Sequence, residues 1–216
     1  GEYMDRSVSL ILASGSGVRM GGTLPKQFLN FGGKPMYLRS AEVLARVSDR
    51  VIIVTNESYL TRVRGEVQPY GPLISVTCGG NTRAESAYLG LMSALAEGHF
   101  GYVLIQDAAR CLVTEDVARR VLQDTERYGA AIAAVPVKST IKKAREDGTV
   151  WETPDRRTLW EAQTPQGFRT DLLVRGYGEL FRNRLPEETF EGLEARYGLT
   201  DDASLIETFT DAPVHL

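Results

Sequence analysis

Residues 7–26, SVSLILASGSGVRMGGTLPK, join an apolar run to a loop that is rich in glycine. The run Ser7–Ala13 carries no charge and is rich in aliphatic residues, which is typical of a strand buried on both faces. Glycines that directly follow such a strand let backbone N–H groups approach a ligand without a Cβ in the way. The stretch therefore predicts the first strand of a buried sheet, with a candidate ligand-binding loop at its carboxyl end.

Strand and helix patterns alternate through the first 135 residues. Further strands are predicted at 50–55, 73–77, 102–106 and 130–135, and helices at 36–47, 59–67, 82–96 and 114–128. Thr114 is predicted to cap the last of these helices, since acidic residues follow it in the first turn. The alternation predicts an α/β fold of three layers: a mainly parallel twisted sheet with helices on both faces, Rossmann-like. Ligands of such sheets bind beyond the carboxyl ends of the strands, near the point where the strand order reverses.

The alternation stops at residues 137–160, which are polar and charged and contain the turn signal Glu146-Asp147-Gly148. A flexible surface loop is one interpretation. The apolar residues Ile141, Val150, Trp151 and Trp160 favour a β-hairpin arm that buries them against a second subunit. We predict that residues 1–216 form a single domain, and that 137–160 within it form a dimerisation arm of a homodimer.

The composition excludes several classes of protein. The chain has 216 residues and a formal net charge of −3, which argues against a nucleic-acid partner. Its two cysteines and two histidines are too few and too scattered for a zinc site or a histidine-based catalytic triad. No signal peptide and no stretch long enough to span a membrane is visible, so we expect a cytoplasmic protein without a membrane partner.

The glycine-rich loop matches neither of the two common nucleotide-binding motifs. A P-loop fails because Thr23 stands where its lysine belongs, and a dinucleotide fingerprint fails because Met20 stands at its third glycine. The loop does carry two cations, Arg19 and Lys26. Two cations at a phosphate-binding loop suit phosphoryl or nucleotidyl transfer, where charge neutralisation around phosphorus dominates catalysis. Solvated loop residues are the alternative interpretation.

Five segments extend the pattern through the chain: Gly15-x-Gly17-x-Arg19-Met20 with Pro25-Lys26-Gln27, Gly79-Gly80-Asn81-Thr82-Arg83-Ala84-Glu85-Ser86, Asp107-Ala108-Ala109-Arg110, Leu159-Trp160 with Thr164-Pro165-Gln166, and Thr200-Asp201-Asp202-Ala203-Ser204. In order and spacing they resemble the 2-C-methyl-D-erythritol 4-phosphate cytidylyltransferases. The resemblance covers nearly the whole chain. It implies a nucleotide-diphosphosugar-transferase-like fold, transfer of CMP from CTP to 2-C-methyl-D-erythritol 4-phosphate with release of pyrophosphate, and a role in isoprenoid precursor synthesis by the non-mevalonate pathway.

The resemblance also implies roles for individual residues. Those expected to bind CTP are Ala13, Ser14, Gly15 and Gly17 in the first loop, and Gly80, Asn81, Arg83 and Ser86 in the second. Arg19 and Lys26 match the catalytic cations, and Asp107 matches the aspartate that binds Mg²⁺ or another divalent cation. The residues expected to hold the acceptor substrate are Arg110, Thr140, Arg156 and Thr200, of which Thr140 and Arg156 act across the dimer interface.

Some of these positions have plainer interpretations. Arg83 and Ser86 share a helix face, as a recognition pair would, but they also fit a capped helix start with an exposed arginine. Asp107 follows a strand directly, where a carboxylate beside phosphates needs a bridging cation, although it could instead cap a helix. Thr200 and Asp201 match family positions near the substrate, whereas the pair Asp201-Asp202 could equally form the acidic start of a helix.

The chain departs from the family pattern in several places. Ser14 replaces the usual alanine, Gln106 replaces the usual histidine, and Cys111 replaces the usual proline. The resemblance further implies a strand and a phosphate-binding lysine beyond the position of Leu216. Two alternatives stay open: a ribitol 5-phosphate cytidylyltransferase, which would share the nucleotide half of the site, and a CTP-binding module that has lost catalysis.

Overall fold

The computed structural model describes residues 6–15, 24–110 and 112–216. Its strands are β1 (Ser7–Ala13), β2 (Asn30–Phe31), β3 (Lys34–Pro35), β4 (Arg50–Thr55), β5 (Ile74–Cys78), β6 (Tyr102–Asp107), β7 (Ala130–Pro136), β8 (Lys143–Ala144), β9 (Val150–Glu152) and β10 (Trp160–Arg169). Its α-helices are α1 (Met36–Ala45), α2 (Leu60–Val67), α3 (Arg83–Glu97), α4 (Glu115–Tyr128), α5 (Thr170–Arg182), α6 (Phe190–Arg196) and α7 (Asp202–Phe209).

Six strands form the central sheet in the order β5-β4-β1-β6-β10-β7. β1 pairs in parallel with β4 and β6, and β4 pairs in parallel with β5. β10 runs antiparallel to both β6 and β7, so the sheet is mainly parallel, as predicted. The chain moves outward from β1 through β4 and β5 and then returns to β6 on the other side. This reversal opens a crevice at the carboxyl ends of β1 and β6.

Helices cover both faces of the sheet, which confirms the three-layer prediction. Successive β1 side chains enter different cores because they point to opposite faces. Leu10 packs in the core that α3 and α5 complete, whereas Ile11 packs in the core that α1, α2 and α4 complete. The central strands are therefore buried on both sides, which explains why they have continuous apolar sequences instead of alternating ones.

The predicted helices and strands up to residue 136 are present, with ends that differ from the prediction by two residues or fewer. Thr114 caps α4, since its hydroxyl accepts a hydrogen bond from the Val117 N–H at 3.2 Å. After Trp160 the sequence predicts no strand, and its one helix signal is the acidic pair Asp201-Asp202. The reversed strand β10 occupies part of that region, and its pairing with β7 shifts register between Ala162 and Gln166. Such an irregular strand lacks the simple periodicity that reveals the others.

The predicted β-hairpin arm is confirmed. β8 and β9 pair antiparallel, and Gly148 has a φ of +86° in the turn between them. Trp151 is 63% exposed and Trp160 is 47% exposed, so about half or more of each tryptophan is left uncovered within this chain. The arm's role in dimerisation stays a prediction. Among the described residues, no helix combines the length and the apolar character needed to cross a membrane.

Candidate active site

The loop after β1 is held from two sides by amide side chains. The Gly15 N–H donates to Asn56 Oδ1 at 2.7 Å, and Gln27 Nε2 donates to the Ala13 carbonyl at 3.0 Å. Gly15 has a φ of +99°, a conformation that favours glycine. A phosphate could accept the Gly15 N–H only in exchange for the Asn56 bond. Gly17 and Arg19, which sequence analysis placed in the same loop, lie outside the described residues.

Lys26 opens a short 3₁₀ turn that ends at Phe28. Phe28 is buried and stacks on Tyr59 with ring centroids 4.3 Å apart, and it meets Tyr37 edge-on at 5.7 Å. These contacts fix the backbone of the turn. Lys26 itself is only partly buried and lines the crevice.

The start of α3 approaches the same loop. Ser86 Oγ accepts the Gly80 N–H at 3.1 Å and lies 2.5 Å from Ser14 Oγ, within hydrogen-bonding distance. A Cβ on Gly79 would come within 2.6 Å of Ser86 Oγ, so only glycine fits there. Thr82 caps the helix by accepting the Glu85 N–H at 3.2 Å. The structure thus brings Ser14, Gly80 and Ser86 together, and it gives the Ser14 departure a hydrogen-bonding role.

Arg83 bridges two carboxylates at the edge of the crevice. Its Nε donates to Asp107 Oδ1 at 2.9 Å, and its Nη1 lies 2.9 Å from Asp202 Oδ2. Asp202 is 2% exposed, whereas Asp107 is 36% exposed. Burial raises the pKa of Asp202, and the guanidinium of Arg83 opposes that rise. Burial by itself would lower the pKa of Arg83, but the Asp202 and Asp107 carboxylates outweigh it and raise that pKa.

Asp202 belongs to a helix start that is tied to the sheet. Asp201 caps α7 by accepting the Ser204 N–H at 2.8 Å, which confirms the interpretation of the acidic pair as a helix start. Gln166 Nε2 donates to Asp201 Oδ2 at 3.0 Å, and Gln166 Oε1 accepts the Ala203 N–H at 3.0 Å. Because β10 anchors α7 in this way, Asp202 is a fixed counter-ion for Arg83.

Asp107 ends β6 and begins a tight turn. Its N–H donates to Thr164 Oγ1 at 3.3 Å, and its carbonyl accepts the Arg110 N–H at 3.1 Å. Ser40 Oγ supports the turn by donating to the Arg110 carbonyl at 3.2 Å. Gln106, the departure from the family's histidine, is buried and donates to the Asp107 carbonyl at 3.2 Å.

A crevice of about 720 Å³ lies beside Asp107, and neither Ser14 and Gly15 nor the start of α3 forms part of its lining. Its lining includes Lys26, Asp107, Arg110, Gln163 and Thr164, together with apolar side chains such as Met36. Two cations and one carboxylate therefore face one volume. This arrangement suits an anionic ligand that binds together with a metal ion.

A metal ion at Asp107 would need additional ligands from elsewhere. In the described part of the chain, no three His, Cys, Asp or Glu side chains are grouped to hold a metal. Asp107 is a single carboxylate beside the crevice cations. Mg²⁺ in nucleotide enzymes is commonly held by one or two carboxylates plus substrate phosphates and waters. The donor set therefore fits a divalent cation that is bound together with nucleotide phosphates.

The remaining predicted acceptor residues lie away from this crevice in the chain. Thr140 and Arg156 are exposed on the arm, where Arg156 Nη1 donates to the Lys138 carbonyl. Thr200 is exposed just before α7, and its N–H donates to Ser204 Oγ at 3.2 Å. None of the three lines the crevice that holds Asp107 and Lys26.

Gln27, Asn56 and Thr164 received no predicted role, and Asp202 was predicted only as part of an acidic helix start. Gln27 and Thr164 belong to the segments that resemble the family, but no function was predicted for either residue. Asn56 directly follows β4, the strand beside β1, and a polar residue in that place is a usable signal for a site at the carboxyl edge. Nothing in the sequence around Asp202 indicates its contact with Arg83, because the two residues are far apart in the chain.

The sheet order and the crevice at its carboxyl edge define a doubly wound α/β protein, the class of fold that commonly binds nucleotides. The model of the 2-C-methyl-D-erythritol 4-phosphate cytidylyltransferase family matches residues 8–216. The chain belongs to this family.

Sequence identity to individual relatives and similarity to solved structures support the family assignment. The enzyme of that name from Lachnospira eligens is 33% identical over 214 residues, which are 97% of this chain and 88% of that protein. The structure of the Thermus thermophilus enzyme aligns with a TM-score of 0.70 and 28% identity, covering 98% of this chain and 87% of that one. A synthase structure from Anaerococcus prevotii has a TM-score of 0.81 at 24% identity, with 98% and 86% coverage, and it supports the fold.

Proposed function

We propose that this chain transfers CMP from CTP to 2-C-methyl-D-erythritol 4-phosphate and releases pyrophosphate. The observation that carries the proposal is the crevice at the carboxyl end of β6, where Lys26 and Arg110 face Asp107 in a chain of this family. Phosphoryl and nucleotidyl transfer depend on positioning and charge stabilisation, and this crevice provides the charges.

The reaction breaks one P–O bond and forms another. A phosphate oxygen of the acceptor attacks the α-phosphorus of CTP, and the bond to the bridging oxygen of the β-phosphate breaks, so pyrophosphate leaves with the electron pair. Lys26 stabilises the negative charge that builds up around the α-phosphorus as a point charge. Arg110 holds the acceptor phosphate on the other side of the crevice, where its guanidinium can grip two oxygens.

Asp107 would hold Mg²⁺ or a similar divalent cation, which neutralises phosphate charge when it is bound. Arg83 contacts one oxygen of the same carboxylate, so a cation held by Asp107 would share this group with Arg83 or displace it. Asp202 would hold Arg83 in place in either case, because its buried carboxylate makes a second ion pair with that guanidinium. A cytoplasmic location stays a prediction.

The first test is pyrophosphate release from CTP and Mg²⁺, with 2-C-methyl-D-erythritol 4-phosphate and ribitol 5-phosphate offered side by side. We expect turnover with the first acceptor only. Turnover with ribitol 5-phosphate alone would leave the proposed mechanism unchanged and would identify ribitol 5-phosphate as the acceptor. Tight CTP binding without turnover on either acceptor would instead support a binding module.

We further propose a homodimer in which the arm of each subunit completes the site of the other. The exposure of Trp151 and Trp160 supports this proposal, since two large aromatic side chains on one arm are costly to leave in water. It also agrees with the position of Thr140 and Arg156, which lie on the arm and not in the crevice of their own chain. The single domain of residues 1–216, with 137–160 as its dimerisation arm, is part of the same proposal.

Two inactive variants should restore each other's activity if the arm acts across the interface. Lys26→Ala disables the crevice of its own subunit, and Arg156→Ala disables the arm that its subunit lends to the partner. In a hybrid dimer one site combines an intact crevice with an intact arm. With random pairing after co-expression about half the dimers are hybrids, so roughly a quarter of wild-type turnover should return. Co-expressed variants that stay as inactive as the separate ones would place the arm and the crevice of one subunit in the same site.

A further inference from the structure

The side chain of Gln27 connects the two described ends of the glycine-rich loop. Its Nε2 donates to the Ala13 carbonyl at 3.0 Å and reaches the Gly15 carbonyl at 3.4 Å. Ala13 and Gly15 lie where the chain leaves β1, whereas Gln27 lies where it returns, next to Lys26. Only 5% of Gln27 is exposed, so these bonds are largely shielded from competing water.

The residues at both ends of the connection made by Gln27 are themselves held by other contacts. Phe28 packs between Tyr37 and Tyr59 and anchors the turn that carries Lys26. On the other end, Asn56 holds the Gly15 N–H at 2.7 Å and also reaches its carbonyl, with Nδ2 at 3.4 Å. Gln27 is thus the link between two rigid pieces, one belonging to β1 and the other to the Lys26 turn.

We propose that Gln27 is a positioning residue that sets the place of Lys26 relative to the loop after β1. This rests on the proposed function, in which Lys26 must lie at a defined distance from phosphates bound by that loop. A primary amide is suited to the task because it offers two N–H donors to two carbonyl acceptors. Displacing a catalytic group by about 1 Å can cost about 10²-fold in rate.

The test compares Gln27→Met with Lys26→Ala and with the double variant, because methionine is similar in length and offers no donor. We expect Gln27→Met to lower kcat by about 10- to 10²-fold, with a smaller change in the KM for CTP. If Gln27 acts through Lys26, the double variant should turn over no more slowly than Lys26→Ala. The proposal would be overturned if kcat of the double variant fell by the product of the two single-variant decreases. An unchanged kcat in Gln27→Met would overturn it as well.

A second readout does not depend on turnover. Amide hydrogen exchange of residues 13–15 and 24–28 should become faster in Gln27→Met. The matched control is Thr125→Val, which removes a buried hydrogen bond to the Val121 carbonyl, 2.7 Å long, within α4, and it should leave both segments unchanged. Unchanged exchange in Gln27→Met would refute the link itself. If the wild-type protein showed no turnover, the proposed function would be refuted. The hydrogen-exchange comparison would still test the link through Gln27.

Discussion

Lys26→Ala should lower kcat by about 10²- to 10³-fold, the range found when one group that stabilises transition-state charge is removed. Lys26 lines the crevice beside Asp107, and its charge is most useful when negative charge has built up around the α-phosphorus. The KM for CTP should change much less than kcat. Steady-state pyrophosphate release, with each substrate varied in turn, separates the two quantities.

Lys34→Ala is the matched control for this variant. Lys34 is exposed and pairs with Glu42 at 2.7 Å, so its removal also deletes one lysine charge close to the same region. An exposed pair of this kind contributes about 1 kcal/mol or less, and we expect nearly wild-type turnover. A large rise in the KM for CTP with unchanged kcat in Lys26→Ala would show that Lys26 binds the ground state equally well.

Arg83→Met should cause the largest loss of stability among the substitutions considered. It leaves the buried carboxylate of Asp202 without its cation, and breaking a buried pair from one side costs about 3–5 kcal/mol. Methionine keeps much of the packing volume, so the loss reports mainly on the charge. The double variant Arg83→Met/Asp202→Asn removes the orphaned charge and should recover part of the loss. Urea denaturation of the wild type and the variants measures these differences.

The same pair predicts a dependence of stability on pH. Burial raises the pKa of Asp202, and the loss of Arg83 raises it further because the guanidinium no longer opposes burial. A carboxyl whose pKa is higher in the folded state than in the unfolded state binds protons more tightly when folded. Its favourable contribution is complete below the unfolded pKa, about 3.9, and is lost as the pH rises through the folded pKa. The deficit of Arg83→Met should therefore shrink from pH 8 to pH 5, and a constant deficit would exclude Asp202 as its cause.

The fold up to residue 136 was predictable because its signals are local. Each buried strand is an apolar run, and each helix has its own periodicity and, in the case of α4, its own threonine cap. The reversed strand β10 was missed because its pairing is irregular and depends on β6 and β7. The motif residues around the crevice were recognised by resemblance to the family. Gly17 and Arg19 stay predictions, since they lie outside the described residues.

The order of strands and helices up to residue 136, the glycine-rich turn after β1 and the set of charged residues available to the site follow from the sequence alone. These are properties of short segments, where side-chain periodicity and backbone preference act over a few residues. Which of those residues meet depends on the tertiary structure, which brings Gln27 to the Ala13 carbonyl and Arg83 to both Asp107 and Asp202. The carboxyl ends of β1 and β6 become neighbours through the reversal of strand order, and burial then turns Asp202 into a partner that Arg83 cannot lose without cost.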